Sequence, residues 1–138
     1  MKKVIFVILL VIISISVFYI WKNMNEIPIA TGKEDLIRVR IPKANQLIKS
    51  PLIIKGEARG VWYFEASFPI KLIDEVGNEV GHAIAQAQLD WMTEDFVPFE
   101  AKLEFTSPIS KKGTLIFKKD NPSGLPEKDD ELRVPVRF

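Results

Sequence analysis

The chain opens with an unbroken apolar run and continues with short segments in which apolar and polar residues alternate. The run extends from Val4 to Ile20, follows two lysines and is closed by Trp21 and Lys22. About 17 residues at 1.5 Å per residue make a helix roughly 26 Å long, near the minimum for crossing the hydrocarbon core of a bilayer. The pattern therefore predicts a transmembrane helix within residues 1–22.

Two other interpretations of the run remain open. A cleaved secretory signal needs small residues just beyond its apolar part. Ser14 and Ser16 have that spacing but lie inside the run, and Ala30 and Gly32 lie far beyond it. A buried helix of a soluble protein is the third interpretation, although the run has no polar face. We expect an uncleaved signal anchor with its N-terminus in the cytoplasm and the rest of the chain outside, because positive charge is greater before the run than after it.

Residues 23–35 show no periodicity and are interpreted as a linker. Period-2 alternation, which is typical of half-buried strands, then recurs to the end of the chain. The predicted strands lie at residues 37–41, 52–59, 62–72, 81–89, 99–105, 115–117 and 132–138. Gly77 and Asn78 predict a hairpin turn between the third and fourth of these strands. About seven strands without an amphipathic helix predict an all-β fold, an antiparallel immunoglobulin-like β-sandwich over residues 36–138.

The alternation also predicts which side chains face the core. On the two clearest strands the inward positions are Phe64, Phe68, Leu72, Leu103 and Phe105. Trp62, Trp91 and Phe99 are expected to fill the position that a disulfide and a tryptophan occupy in antibody domains.

Charge and cysteine content exclude several classes of function. The chain has 19 basic and 18 acidic side chains, and without Lys2, Lys3 and Lys22 the remainder has 16 and 18. A net charge near −2 argues against nucleic-acid binding, which needs a cationic surface. The chain has no cysteine, so disulfides, a thiol nucleophile and thiolate metal sites are excluded.

Three short motifs carry a resemblance to a known family. They are Ser50-Pro51-Leu52, Ala58-Arg59-Gly60 and Phe64-Glu65-Ala66. With them the chain resembles the immunoglobulin-like domain of bacterial spore germination proteins, over about residues 37–138. The resemblance implies an immunoglobulin-like fold and an exported setting, and it brings no catalytic residues.

The residues do not spell out a catalytic or metal site. His82 is the only histidine and no Gly-x-Ser-x-Gly motif accompanies it, so we expect a surface histidine on a strand. Carboxylates are the remaining candidates for catalysis, as a pair in a glycoside hydrolase or as ligands for calcium. The candidates for the hydrolase are Glu65, Asp74, Asp90, Glu94 and Asp95, and those for calcium are Asp90, Glu94 and Asp95, or Asp120 with Asn121. We expect them on solvated faces and turns, and we predict no catalytic, cofactor or metal site.

The segment from Asp90 to Val97 is the candidate binding site. Its apolar members are Trp91, Met92 and Phe96, and its acidic members are Glu94 and Asp95. An apolar centre with a polar rim is typical of protein interfaces. The sequence thus predicts a non-catalytic binding or scaffolding module, anchored in the cell membrane, with a protein of the cell envelope as its partner. One alternative is a module that binds cell-wall glycan through exposed Trp62 and Trp91, and another is a small carboxylate hydrolase.

Overall fold

The computed structural model describes residues 12–18 and 32–138. Residues 12–18 are helical. Within the described ranges no helix is both long enough and apolar enough to cross a membrane. Most of the predicted transmembrane run, and residues 23–31 of the linker, lie outside these ranges, so the signal anchor stays a prediction.

Residues 32–138 form a single sheet of eight strands. The strands are β1 (Ile37–Ile41), β2 (Gln46–Leu47), β3 (Leu52–Arg59), β4 (Ser67–Asp74), β5 (Glu79–Ala87), β6 (Phe96–Phe105), β7 (Lys112–Lys118) and β8 (Glu131–Arg137). Their order is β1-β3-β6-β5-β4-β7-β8-β2. Neighbouring strands are antiparallel, except that β2 runs parallel to β8. The all-β, immunoglobulin-like prediction is confirmed, and β2 is the strand that periodicity missed, because two residues show no alternation.

The two halves of the sheet pack against each other through aromatic rings. Phe99 on β6 lies 5.0 Å, between ring centroids, from Phe68 on β4 and 6.1 Å from Phe117 on β7. All three side chains are almost completely buried. Strands β1, β3 and β6 therefore face strands β4, β7 and β8 across one apolar core, as in a sandwich.

Alternation correctly predicts the core side of β6 and β8. Val97, Phe99, Ala101 and Leu103 are buried on β6, and Leu132, Val134 and Val136 are buried on β8. On β5, Ala83 and Ala85 are buried. Small side chains there leave room for the large rings of β4 and β6 to meet.

The long strand predicted at residues 62–72 is wrong in its first half. Gly60–Trp62 is a turn of 3-10 helix, and residues 64–67 form a tight reverse turn before β4 begins at Ser67. Phe64, predicted to face the core, is 40% exposed. A two-residue turn keeps even spacing in the sequence, so counting in twos continues through it without revealing the reversal.

Two smaller corrections concern strand ends. Phe105, also predicted to face inward, is only partly buried and packs on Phe138 with 5.7 Å between ring centroids. Leu89, predicted as part of a strand, lies beyond the end of β5 and is 68% exposed. Chain ends and loops at the edge of a sandwich have no facing layer, so alternation there does not imply burial.

The corrected register makes a testable distinction between two phenylalanines. Phe68→Ala should lower the free energy of unfolding by about 3 to 5 kcal/mol, because it removes a fully buried ring. Phe64→Ala should cost roughly 1 kcal/mol, the worth of a partly exposed aromatic contact. Urea unfolding of the two variants beside the parent chain measures both. Equal losses would show that Phe64 belongs to the core after all.

Candidate partner-binding surface

Three loops meet at one end of the sandwich, and we call this region the loop end. It comprises residues 60–66 between β3 and β4, 88–95 between β5 and β6, and 119–130 between β7 and β8. The strand register places them together, because Arg59 pairs with Phe96 and Lys118 pairs with Glu131.

Backbone hydrogen bonds join the three loops. The amide of Asp120 donates to the carbonyl of Trp62 at 3.0 Å, and the amide of Gly60 donates to the carbonyl of Asp95 at 3.3 Å. The hydroxyl of Tyr63 donates to the carbonyl of Val97 at 2.6 Å in the buried interior. Burial of this ring, together with the charge of Glu57, raises the pKa of Tyr63 above its ordinary value, against the opposing effect of a hydrogen bond from Ala58. The loop between β3 and β4 is thus bonded to both of its neighbours.

Gly60 allows the first two loops to approach closely. A Cβ atom at this position would lie 1.9 Å from the carbonyl oxygen of Thr93 and 2.3 Å from that of Trp91. Real carbon and oxygen atoms do not approach so closely, and backbone carbonyls cannot rotate away as a flexible side chain can. Glycine is therefore required here for packing.

The turn that carries Phe64 is strained. Phe64 and Ser67 exchange backbone hydrogen bonds of 3.0 and 3.1 Å, while Glu65 and Ala66 between them have φ of 49° and 63°. Two successive residues with positive φ make a type I′ turn, which strongly prefers Asn-Gly. This turn places the Phe64 ring edge-to-face with Trp91, at 6.5 Å between centroids.

The loop end exposes apolar side chains. Met92 is 75% exposed, Leu89 68%, Val61 57% and Phe64 40%, and the half-buried Trp91 lies against Phe64. We call these five side chains the apolar patch. Glu65, Asp90, Glu94 and Asp95 are exposed on the same two loops. Several exposed apolar side chains on two loops that contact each other indicate a contact surface, whereas single exposed ones do not.

The predicted site residues share one loop but differ in their surroundings. Met92, Glu94 and Asp95 are exposed, Trp91 is half-buried, and Phe96 begins β6. The Phe96 ring lies beneath two guanidinium groups, at 4.0 Å from Arg38 and 4.1 Å from Arg59. Phe96 is therefore committed to contacts within the domain. The sequence did not indicate that Val61, Phe64 and Leu89 belong to this surface. For Phe64 the signal would have been the turn that follows it, but the alternation of apolar and polar residues continues through that turn.

The tryptophans give little support to a sugar-stacking platform. Trp62 is fully buried, and its Nε1 is the only buried side-chain nitrogen or oxygen without a hydrogen-bond partner in the part of the chain that the structure describes. Its ring belongs to the core, as predicted from the antibody analogy, and so does Phe99. Of the two tryptophans that the structure describes, only Trp91 reaches the surface, and one half-buried ring does not make a flat platform.

The candidate carboxylates that the structure describes are separated in the fold and most are exposed. Asp74 lies at the opposite end of the domain, where its carboxylate accepts hydrogen bonds from the amides of Val76 and Asn78. Desolvation raises its pKa, but the hydrogen bonds from Asn78, Val76 and Gly77 together outweigh this and lower it below the ordinary value. Lysine partners likewise lower the pKa of Glu79 and Glu104. A general acid needs a shift in the other direction.

The remaining candidate ligands are also dispersed. His82 is an exposed strand histidine, as predicted, with Nδ1 3.5 Å from a Glu79 oxygen. No group of three histidine, aspartate or glutamate side chains suited to a metal ion occurs within residues 12–18 and 32–138. An open depression of about 400 Å³ lies beside Asp74 and Glu75. The Asp74 carboxylate already accepts hydrogen bonds from the amides of the turn.

The comparison with protein families matches this architecture. Residues 36–124, more than half of the chain, match the model of the immunoglobulin-like domain of bacterial spore germination. The chain belongs to this family. The resemblance inferred from Ser50-Pro51-Leu52 and the two motifs after it is thereby confirmed. Neither the comparison with curated proteins nor that with solved structures gave a match. All three loops of the loop end begin within residues 36–124.

The strained turn predicts an unusual stabilising substitution. Ala66→Gly should raise the free energy of unfolding by about 0.5 to 1 kcal/mol, because relief of a left-handed conformation, worth about 1 to 2 kcal/mol, outweighs the greater chain entropy of glycine. Ala87→Gly, at an ordinary strand position, is the matched control and should destabilise. Denaturant unfolding measures both, and a loss of stability in Ala66→Gly would contradict the type I′ assignment.

The close approach at Gly60 predicts a loop-specific defect. Gly60→Ala should cost about 1 to 3 kcal/mol of stability, as overpacking does, and should displace the loop between β5 and β6. Limited chymotrypsin digestion, which cleaves after Trp91 once that loop opens, is expected to become faster. Val61→Ala, a neighbouring change at an exposed position, should leave the digestion rate unchanged. Unaltered cleavage in Gly60→Ala would mean that the loops tolerate separation.

Proposed function

We propose that this protein is a non-catalytic binding or scaffolding module, anchored by its N-terminal apolar run and exposed on the outer side of the bacterial cell membrane. Its family supports the immunoglobulin-like, non-catalytic character. The run from Val4 to Ile20, preceded by lysines, supports the anchor and its orientation.

The observation that carries the binding role is the exposure of Leu89 and Met92 at the tip of a firmly held loop. Side chains of this kind contribute most when an apolar pocket of a partner covers them and a polar rim excludes water. Glu94 and Asp95 beside them supply such a rim on this side. The proposed occupant is therefore a protein of the cell envelope.

The two alternatives receive less support. Glycan binding through two tryptophans is less supported, because Trp62 is buried and its ring cannot stack on a sugar. Carboxylate hydrolysis is less supported because, within the described residues, the resolved pKa shifts of the carboxyl groups of Asp74, Glu79 and Glu104 are downward, opposite to what a general acid requires.

A paired substitution tests the binding role. Leu89→Ala combined with Met92→Ala removes the two most exposed apolar side chains of the patch, and it should reduce partner capture by crosslinking in the native envelope by at least about tenfold, or 1.4 kcal/mol. The unfolding midpoint should stay within a few degrees, because both side chains lie in water in the free domain.

A matched control is available at the opposite end of the sandwich. Val76 and Ile109 are 80% and 105% exposed, so Val76→Ala combined with Ile109→Ala removes a similar amount of exposed apolar surface. This control should capture the partner at the parent level. If the Leu89 and Met92 variant folds normally and captures as well as the control, the patch is not the binding surface.

A further inference from the structure

The chain enters the sandwich at the loop end, and polar contacts fix this entry. Lys33 forms an ion pair with Asp130 of the loop between β7 and β8. Arg38 Nε donates to the carbonyl of Glu34 at 2.8 Å, and Arg59 Nε donates to that of Asp35 at 3.0 Å. The segment 33–36 is thus bonded to the domain before β1 begins.

The same arginines connect the entry segment to the loop that carries Met92. Arg59 Nη1 donates to the carbonyl of Glu94 at 3.2 Å. Both guanidinium groups lie about 4 Å from the centre of the Phe96 ring, an arrangement stabilised by the attraction of a cation to an aromatic face. The contacts that hold the entry segment therefore also hold the loop that carries the apolar patch.

The tether between anchor and domain is short. About ten residues separate Lys22 from Gly32, which limits the span to roughly 35 Å when fully extended. The longest strand, β6 with 10 residues, is itself roughly 33 Å long. With the predicted anchor in the bilayer, the loop end therefore lies within about 35 Å of the membrane, whereas the opposite end can stand about one strand length farther out.

Charge distinguishes the surface that this end can meet. Residues 60–66 and 88–95 contain Glu65, Asp90, Glu94 and Asp95 and have no lysine, arginine or histidine. Residues 119–130 contain four more acidic side chains and two lysines, so acidic residues outnumber basic ones by eight to two over the three loops. An anionic bilayer surface attracts basic segments and repels acidic ones. A protein surface with basic residues around an apolar pocket complements both the charge and the patch.

Building on the proposed function, we propose that the loop end faces the membrane and binds the extracytoplasmic surface of a membrane-embedded protein. The partner offers an apolar pocket for Met92 and Leu89, with lysine or arginine side chains around it. A wall polymer or a soluble envelope protein is not held at the membrane surface. The tether therefore gives such a partner no preference for the loop end over the far end of the sandwich.

The test uses the full chain in native membranes and the fact that it has no cysteine. Thr93→Cys introduces one thiol beside the patch, and Ser107→Cys introduces one at the opposite end. Both positions are exposed. Ser107→Cys replaces a hydroxyl with a thiol, and Thr93→Cys does the same and also removes a methyl group. A short crosslinker that joins a thiol to a lysine amine is added, and the adduct is identified by mass spectrometry.

The expected result has three parts. Thr93→Cys gives an adduct whose second component has transmembrane segments, remains in alkali-washed membranes and carries the crosslink on an extracytoplasmic lysine. Ser107→Cys gives at least about tenfold less of it. Adding Glu94→Arg reduces the adduct through like-charge repulsion, whereas Glu75→Arg, an exposed acidic residue of the β4–β5 turn, leaves it unchanged.

Other outcomes overturn the inference. Equal adducts from the two thiols, or a partner that alkali releases, would show that the loop end does not select a membrane-embedded protein. A lipid occupant is detected separately: the full chain is reconstituted in vesicles of phosphatidylethanolamine and phosphatidylglycerol, with a fluorophore on Thr93→Cys. Quenching by nitroxides on the acyl chains would assign the patch to the bilayer. Loss of the whole chain from alkali-washed membranes would instead refute the anchor of the proposed function.

Discussion

Contact of Phe99 with Phe68 and Phe117 joins the two halves of the sheet, and the rest of the domain depends on it. Many immunoglobulin domains join these layers with a disulfide, but this chain has no cysteine. Burial of large rings is the available substitute, since each removes a large apolar area from water and the Phe68–Phe99 pair adds a favourable edge-to-face contact. The loops keep their relative positions because the strands that carry them are held at a fixed separation.

The loop end combines firm support with an unburied apolar surface. The amides of Gly60 and Asp120 bind the loops to one another, and the hydroxyl of Tyr63 binds the first loop to β6. The type I′ turn at Glu65 and Ala66 is retained although neither residue is favoured there. Strain of this kind persists where surrounding structure enforces it, and it is often found at functional sites. Preorganised loops lose little entropy when a partner covers them.

Arginine side chains connect the entry of the chain to this surface. Arg59 contacts the entry segment, the loop that ends at Asp95 and the ring of Phe96 at the same time. Its guanidinium group has several donors in one plane, which suits it to hold two backbone carbonyls while stacking on a ring. These contacts relate the position of the tether to that of the apolar patch, and this relation underlies the proposed orientation toward the membrane.

Much of the fold followed from the sequence alone. Strict alternation located β1, β3 and β6 and assigned Phe68, Leu72 and Leu103 to the core, because a strand with one buried face must alternate. Motif resemblance identified the family. The candidate loop at Asp90 to Val97 was also visible, since aromatic and acidic residues are concentrated there.

Tertiary structure decided the remainder. Periodicity continued through the turn at Glu65 and Ala66, so Phe64 was wrongly placed in the core, and the two-residue β2 gave no signal. Val61 and Phe64 lie at the same end as Leu89 and Met92 because strands that are distant in sequence pair in the sheet. The same pairing places Phe96 beneath two arginines. Alternation reports only local geometry, whereas these contacts arise when the two halves of the sheet pack together and bring separate loops to one end.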